Sequence, residues 1–412
     1  MRKSGGSPVL RRRRFALFTL FTLPGLAIAS WVARTPDIRI AIHASTQEMG
    51  IVLFGVSIGS MLGIVLSPWL IARFGTRAVT AAGMACIVVS MPVVGLGAEA
   101  GLAGAAAGGL CLFGLGMGGS EIAINSEAAA VERAAGVSVL PAMHGCFSLG
   151  TVVGSLAGAC CSLADVSIGV HLVLVGCIGV PILVAQVRHL SPHGRSSVAG
   201  DRTEPVAPSG KRWRDRPLLL IGAIVLAMAL AEGAATDWLP LVMVDGHGSS
   251  PVAGSLVFTA FSAAMTVGRF GGGRLLNRFG RVAVFRVSAA TAAIGIGCVA
   301  LVDNQILAAP AVLLWGLGLS LGFPIAISAA GDSGTDSSAR VAFVATMGYV
   351  AFLVGPPTLG ILGEDYGLRA ALLLPLGLVV VAFLLTPALG VSVNAGRPTC
   401  ASSDRLCDSP LR

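Results

Sequence analysis

Charge and aromatic side chains are both scarce in this sequence. Of 412 residues, 12% are Asp, Glu, Lys or Arg and 6% are Phe, Trp or Tyr, with two tyrosines among them. Soluble domains carry about 25% charged residues, so a water-soluble enzyme or binding module is excluded. Glycine clusters occur, but no lysine follows one at the spacing of a phosphate-binding loop, which removes ATP as an energy source. The nine cysteines form no Cys-x-x-Cys pair and no cluster with histidine at metal-ligating spacing. Seven fall in apolar runs and read as small buried hydrophobes, while Cys400 and Cys407 sit in a polar tail expected to be reduced. No metal or other cofactor is expected, and no nucleophile or acid–base constellation with usable spacing suggests an enzyme.

Apolar sequence is what the chain has in excess, at 55% hydrophobic with 55 glycines. A helical crossing of a bilayer needs about 20 apolar residues. Twelve such runs are present, near 15–33, 48–71, 79–97, 101–124, 144–163, 167–187, 217–240, 251–273, 282–302, 306–331, 341–363 and 368–389. The expected fold class is therefore an all-α membrane protein. The cut between the third and fourth runs rests on Gly97-Ala-Glu99-Ala-Gly101, the charge and turn signal between them. Pro24, Pro92, Pro181 and Pro324 mark kinks of the kind membrane helices tolerate.

A net charge of +8 would suit nucleic acid, but 24 of the 28 basic residues fall in the N-terminus, the connections after even-numbered runs, and the C-terminus. That is the positive-inside pattern, so the charge sets topology, with both termini cytoplasmic, and nucleic acid is not expected as a partner. Arg11 to Arg14 followed by Ala27-Ile-Ala29 also has the form of a cleavable signal. Cleavage would leave eleven crossings, so the run reads as the first helix. The organisation expected is a basic N-terminus (1–14), a six-helix bundle (15–187), a polar linker (188–216), a second bundle (217–390) and a polar tail (391–412).

The second and eighth runs end alike. Gly268, Leu275, Arg278, Phe279 and Gly280 match Gly63, Leu70, Arg73, Phe74 and Gly75, 205 residues earlier. Gly114-Leu-Gly followed by Ile122-Ala-Ile124 recurs as Gly316-Leu-Gly followed by Ile325-Ala-Ile327. The chain is two related halves, which is the pattern of secondary transporters whose site lies between the repeats. The hairpin G-x-x-x-(D/N)-R-x-G-R resembles the signature of the major facilitator superfamily, and Gly355-Pro-Pro-x-x-Gly360 looks like a relative of its glycine–proline helix motif. The resemblance covers nearly the whole chain. More narrowly, it points to bacterial inner-membrane permeases labelled as sugar or drug transporters. It implies twelve transmembrane helices in two pseudo-symmetric bundles, with gating assigned to Arg73, Gly75, Asn277, Arg278 and Gly280. The family's acidic residue in this hairpin is replaced by Ala72 in one copy and Asn277 in the other.

Ionisable groups inside membrane helices are costly and are candidates for function. Glu121 and Asn125 in the fourth run lie one turn apart on one face. Glu232 and Asp237 in the seventh are five apart, so about 140° separates them; Glu232 reads as the deeper, and Asp237 and Trp238 as near the outer end. Glu232, Glu121 and Asp237 are the candidates for carrying a proton, against the reading of each as a structurally paired acid. Arg269 either snorkels to the interface or forms a gating ion pair with Asp332. His144 is a pH sensor or a hydrogen-bonded structural group. Trp31 and Trp238, with Asn125, are candidates for the substrate cavity; the alternative for the tryptophans is anchoring in the interfacial belt. Arg34 and Asp37 read as an interfacial ion pair.

The expected function is secondary active transport of a small organic solute by alternating access, monomeric and driven by protons. Uptake of a sugar-like solute is favoured; proton-driven efflux of amphipathic compounds and a non-transporting sensor or scaffold are the alternatives.

Overall fold

The computed structural model describes residues 8–135, 140–191, 215–332 and 337–390, and among these every regular element is a helix. They are α1 (Pro8–Val32), α2 (Thr35–Ala41), α3 (Thr46–Phe74), α4 (Thr76–Glu99), α5 (Ala103–Ala135), α6 (Leu140–Leu163), α7 (Ile168–Val187) and α8 (Arg216–Leu241). After a π-helical turn at Val242–Gly246 follow α9 (Pro251–Phe279), α10 (Arg281–Leu301), α11 (Gln305–Leu319), α12 (Gly322–Asp332), α13 (Ser337–Tyr366), α14 (Leu368–Ala371) and α15 (Leu373–Leu384). Eleven helical stretches among the described residues are long and apolar enough to cross a membrane, and the interrupted pair α14–α15 supplies a shorter twelfth.

Local chemistry sets the ends. Ser45 accepts from the Glu48 N–H while the Glu48 carboxylate accepts from the Ser45 N–H, a capping box that starts α3. Ser250 caps α9 ahead of Pro251, and Asn304 caps α11. Gly75 (φ 84°) and Gly280 (φ 75°) each end one helix and begin the next. This left-handed backbone lets two crossings join through one residue, which is why both copies of the hairpin carry glycine there. The Arg73 guanidinium lies 5.6 Å from the Phe74 ring, and Arg278 lies 5.2 Å from Phe279.

Several boundaries differ from those read in the sequence. The first helix begins at Pro8 and takes in Arg11–Arg14. The fourth crossing runs on to Ala135, because Glu127 and Ser126, polar residues that look like an end, are bonded to Arg13 and to Ile122 O. The seventh passes through Pro240 and continues in a wider turn to Gly246. The tenth breaks between α11 and α12, where Pro324 has no N–H to give the Ser320 carbonyl. The cut at Gly97–Gly101 falls as expected, with Gly101 at φ 71°. Most of the linker, and Cys400 and Cys407, lie outside the described residues.

The packing repeats between halves. The pairs α3/α5, α4/α5, α1/α6 and α4/α7 have counterparts in α9/α11, α10/α11, α8/α13 and α10/α15. A Cβ on Gly114 would meet the Val56 carbonyl at 2.1 Å, and one on Gly316 would meet that of Phe261, the equivalent of Val56, at 2.7 Å. The halves touch chiefly through α3 against α13 and α6 against α9.

Candidate functional site: the space between the halves

One end of the bundle carries the hairpins at Gly75 and Gly280 together with the start of α1; the opposite end carries α2 and the starts of α3 and α9. Four sets of hydrogen bonds and ion pairs that join the halves lie on the α2 side. The Ser255 hydroxyl donates to the Ala33 carbonyl at 2.5 Å, and Arg39 pairs with Asp245. Glu364 at the end of α13 accepts from the Thr46 and Gln47 N–H groups at 2.8 and 3.2 Å, capping the start of α3 from the other half. Deeper, the Ser57 hydroxyl donates to the Phe352 carbonyl at 2.7 Å. Gly50 and Gly360 cross with their backbones in contact: a Cβ on Gly50 would lie 3.0 Å from the Pro356 carbonyl and 3.1 Å from the Gly360 Cα. This end is sealed.

Ion pairs on the hairpin side close within one half. Arg13 reaches Glu127 at 2.6 Å, Arg281 reaches Asp332 at 2.6 Å, and Arg340 reaches Asp215 at 2.5 Å. Between the two ends lies Arg269, bonded at 2.9 Å to Glu232 on α8. Of the two readings of Arg269, the ion pair with Asp332 is not the one formed here. Distance along the chain does not reveal which way a helix face turns: Arg269 faces α8, and Asp332 is engaged by Arg281 at the turn into α10.

Three acids stand in the interior. Glu121 on α5 is exposed to the space between helices and makes no hydrogen bond or ion pair among the described residues; Tyr349 on α13, from the other half, stands within range of its charge. Glu232 is neutralised by Arg269. Asp237 also makes no hydrogen bond or ion pair among the described residues, and its carboxylate lies beside Gly233, which packs against Phe352. The seventh crossing runs nine residues beyond Asp237, so this acid lies about 13 Å from that end at 1.5 Å per residue. Asp237 thus lies nearer the seal, towards the outer end, and Glu232 nearer the middle of the Arg216–Gly246 crossing, the same order along the helix as read in the sequence.

The tryptophans are not in an interfacial belt. Trp31 and Trp238 are 0% and 1% exposed. Trp31 meets Phe113 edge-on at 6.1 Å, and Trp238 lies under the Gly50 crossing. Both belong to the closed wall and neither faces a cavity here. The Asn125 side-chain oxygen is buried without a hydrogen-bond partner among the described residues, while Asn277 is exposed. His144 meets the Phe21 ring at 5.1 Å, and Arg34 is buried against Asp37 and the Val166 carbonyl. The cap by Glu364 and the contacts of Ser57, Ser255 and Arg39 were not singled out in the sequence; an acid closing the eleventh apolar run was the available signal.

The sequence profile of the Major Facilitator Superfamily matches residues 14–341. The chain belongs to that family and is a multi-pass membrane protein with its twelve-helix transporter fold. An MFS-type transporter of Yersinia pestis is 30% identical over 353 residues, 85% of this chain and 89% of that protein. The crystal structure of the nucleoside transporter NupG superposes with a TM-score of 0.71 at 13% identity, over 93% of this chain and 99% of that one. The E. coli fucose:proton symporter FucP superposes with a TM-score of 0.58 at 16% identity, over 91% and 97%.

Proposed function

We propose that the protein moves a small polar solute of sugar-like character across a bacterial inner membrane, in symport with protons. It works as a monomer whose halves rock about the space between them. The hairpin end faces the cytoplasm, because the basic residues concentrate there. The conformation described is then open to the inside and sealed outside. The observation that carries proton coupling is Asp237: a carboxylate with no partner among the described residues, just below the seal, is costly as an anion and takes up a proton when the outer side opens. Glu121 with Tyr349 is a second such place, contributed by both halves. Glu232, held by Arg269, ties α8 to α9. The nucleoside and fucose carriers that share the fold support a polar, ring-bearing substrate.

The test has two stages. Thermal stability of the purified protein is screened against sugars, sugar acids, nucleosides and cationic amphiphiles, since a ligand stabilises the state it binds. Proteoliposomes then measure uptake of the hit under an imposed pH gradient. Wild-type protein accumulates it, and Asp237→Asn only equilibrates it. Undiminished pH-driven accumulation by both Asp237→Asn and Glu121→Gln would overturn the coupling role, and stabilisation by amphiphiles alone would favour efflux.

A further inference from the structure

At the hairpin end, on the outer surface of the first half, the start of α1 and the end of α7 enclose a cavity of about 450 Å³. Its charged lining is of one sign: Arg11 and Arg12 from α1 and Arg188 just past the end of α7, beside His189, whose Nε2 accepts from Arg188 Nε at 3.4 Å, with no Asp or Glu. The neighbouring arginines are already committed. Arg13 turns inward to Glu127, and Arg14 lies over the Phe18 ring at 5.9 Å. Arg11 and Arg12 have no hydrogen bond or ion pair among the described residues, and Arg188 makes a 3.1 Å bond to the Ala185 carbonyl through Nε, its other two nitrogens remaining available. Directly below the basic groups the surface turns apolar. Phe15, one turn further along α1, lines the cavity, and Phe15 and Val184 are 65% and 68% exposed.

Clustered cations above an exposed apolar face, at the end of two membrane-spanning helices, match the two parts of a phospholipid. We infer that this cavity binds the phosphate headgroup of an anionic phospholipid, with its acyl chains along Phe15 and Val184. Arg11, Arg12 and Arg188 supply charge-assisted hydrogen bonds to the phosphate oxygens. The site ties the first helix of the chain to the last helix of its half through a lipid. It lies away from the space between the halves and does not depend on the transport reading.

Native mass spectrometry of the full chain in a neutral detergent tests this, with phosphatidylglycerol and phosphatidylcholine of identical acyl chains as probes and inorganic phosphate as a third. Wild-type protein should retain phosphatidylglycerol about tenfold more tightly than phosphatidylcholine, since each basic residue near a charged headgroup contributes severalfold. The double substitution Arg12→Gln and Arg188→Gln should remove most of that preference, and raising the salt should weaken it. Arg133→Gln with Arg286→Gln, an equal loss of charge on exposed helix positions, should leave it intact. Equal retention of the two lipids, or an unchanged preference in the Arg12/Arg188 variant, would overturn the inference. Full displacement of phosphatidylglycerol by millimolar inorganic phosphate would also overturn it, assigning the cavity to a soluble anion. Melting temperatures of the two double variants within a few degrees of wild type establish that the comparison reads binding and not unfolding.

Discussion

On the α2 side the halves meet through bare backbone, short hydroxyls and one carboxylate that caps a helix; on the hairpin side arginines bind acids of their own half and leave the other half alone. The two ends thus do different work. Ion pairs such as Arg13–Glu127 and Arg281–Asp332 hold each half rigid while it moves. On the proposed rocking motion, the contacts at Gly50, Ser57, Ser255 and Glu364 are the ones that would have to break for the outer end to open. Coupling between distant parts needs an element with two discrete arrangements, and the proposed motion assigns that part to the crossing of α3 over α13.

The contrast can be broken most strongly at Gly360. Its Cβ would fall 3.0 Å from the Gly50 Cα, with backbone on both sides and nothing that can yield. Overpacking costs about 1–3 kcal/mol, so Gly360→Leu should open this end. A cysteine placed at Ser57 should then react with a maleimide at least about tenfold faster than in the glycine background. An unchanged rate would mean the crossing is not the seal. A smaller effect is expected at Glu364. Removing a cap costs about 1 kcal/mol, so Glu364→Ala should raise the same labelling rate about fivefold, and Glu364→Gln, which still offers an oxygen, less.

The smallest effect tests the other end. Arg340→Gln should leave labelling at Ser57 within about twofold of wild type, since exposed and half-exposed ion pairs contribute about 0–1 kcal/mol, while lowering the melting temperature slightly. Burial alone would raise the Asp215 carboxyl, but the Arg340 bond, the Leu218 N–H and the Arg340 charge together hold it below the usual carboxylate range. A depressed folded-state value stabilises the fold at neutral pH, and that stabilisation is lost as pH falls through the carboxylate range. Melting curves of wild type and Arg340→Gln should therefore converge on acidification. A gap that widened would contradict the assignment.

The hairpin repeat was fully legible, because one left-handed glycine flanked by arginines leaves a short and specific mark at Gly75 and again at Gly280. The helices were legible from run length alone. The site was legible only as a set of residues. Periodicity tells how far along a helix an acid sits relative to its neighbours, so the order of Glu232 and Asp237 was legible although the end of the seventh crossing was misplaced at Pro240. Which way Arg269 faces depends on how α9 is rotated against α8, and no single-chain pattern encodes that rotation. The same holds for Trp31 and Trp238, whose type suggests an interface and whose neighbours place them in the wall.

The Gly50–Gly360 crossing also bears on how fast the seal can re-form. A lock made of long side chains must freeze several torsions each time it shuts, at up to about 2 kcal/mol of entropy per residue. Two glycines have no torsions of that kind to freeze. Nothing at this point would have to find its rotamer before the halves could meet, so on the proposed motion the tempo of closure at the crossing falls to the swing of the two halves and to the water draining from between them.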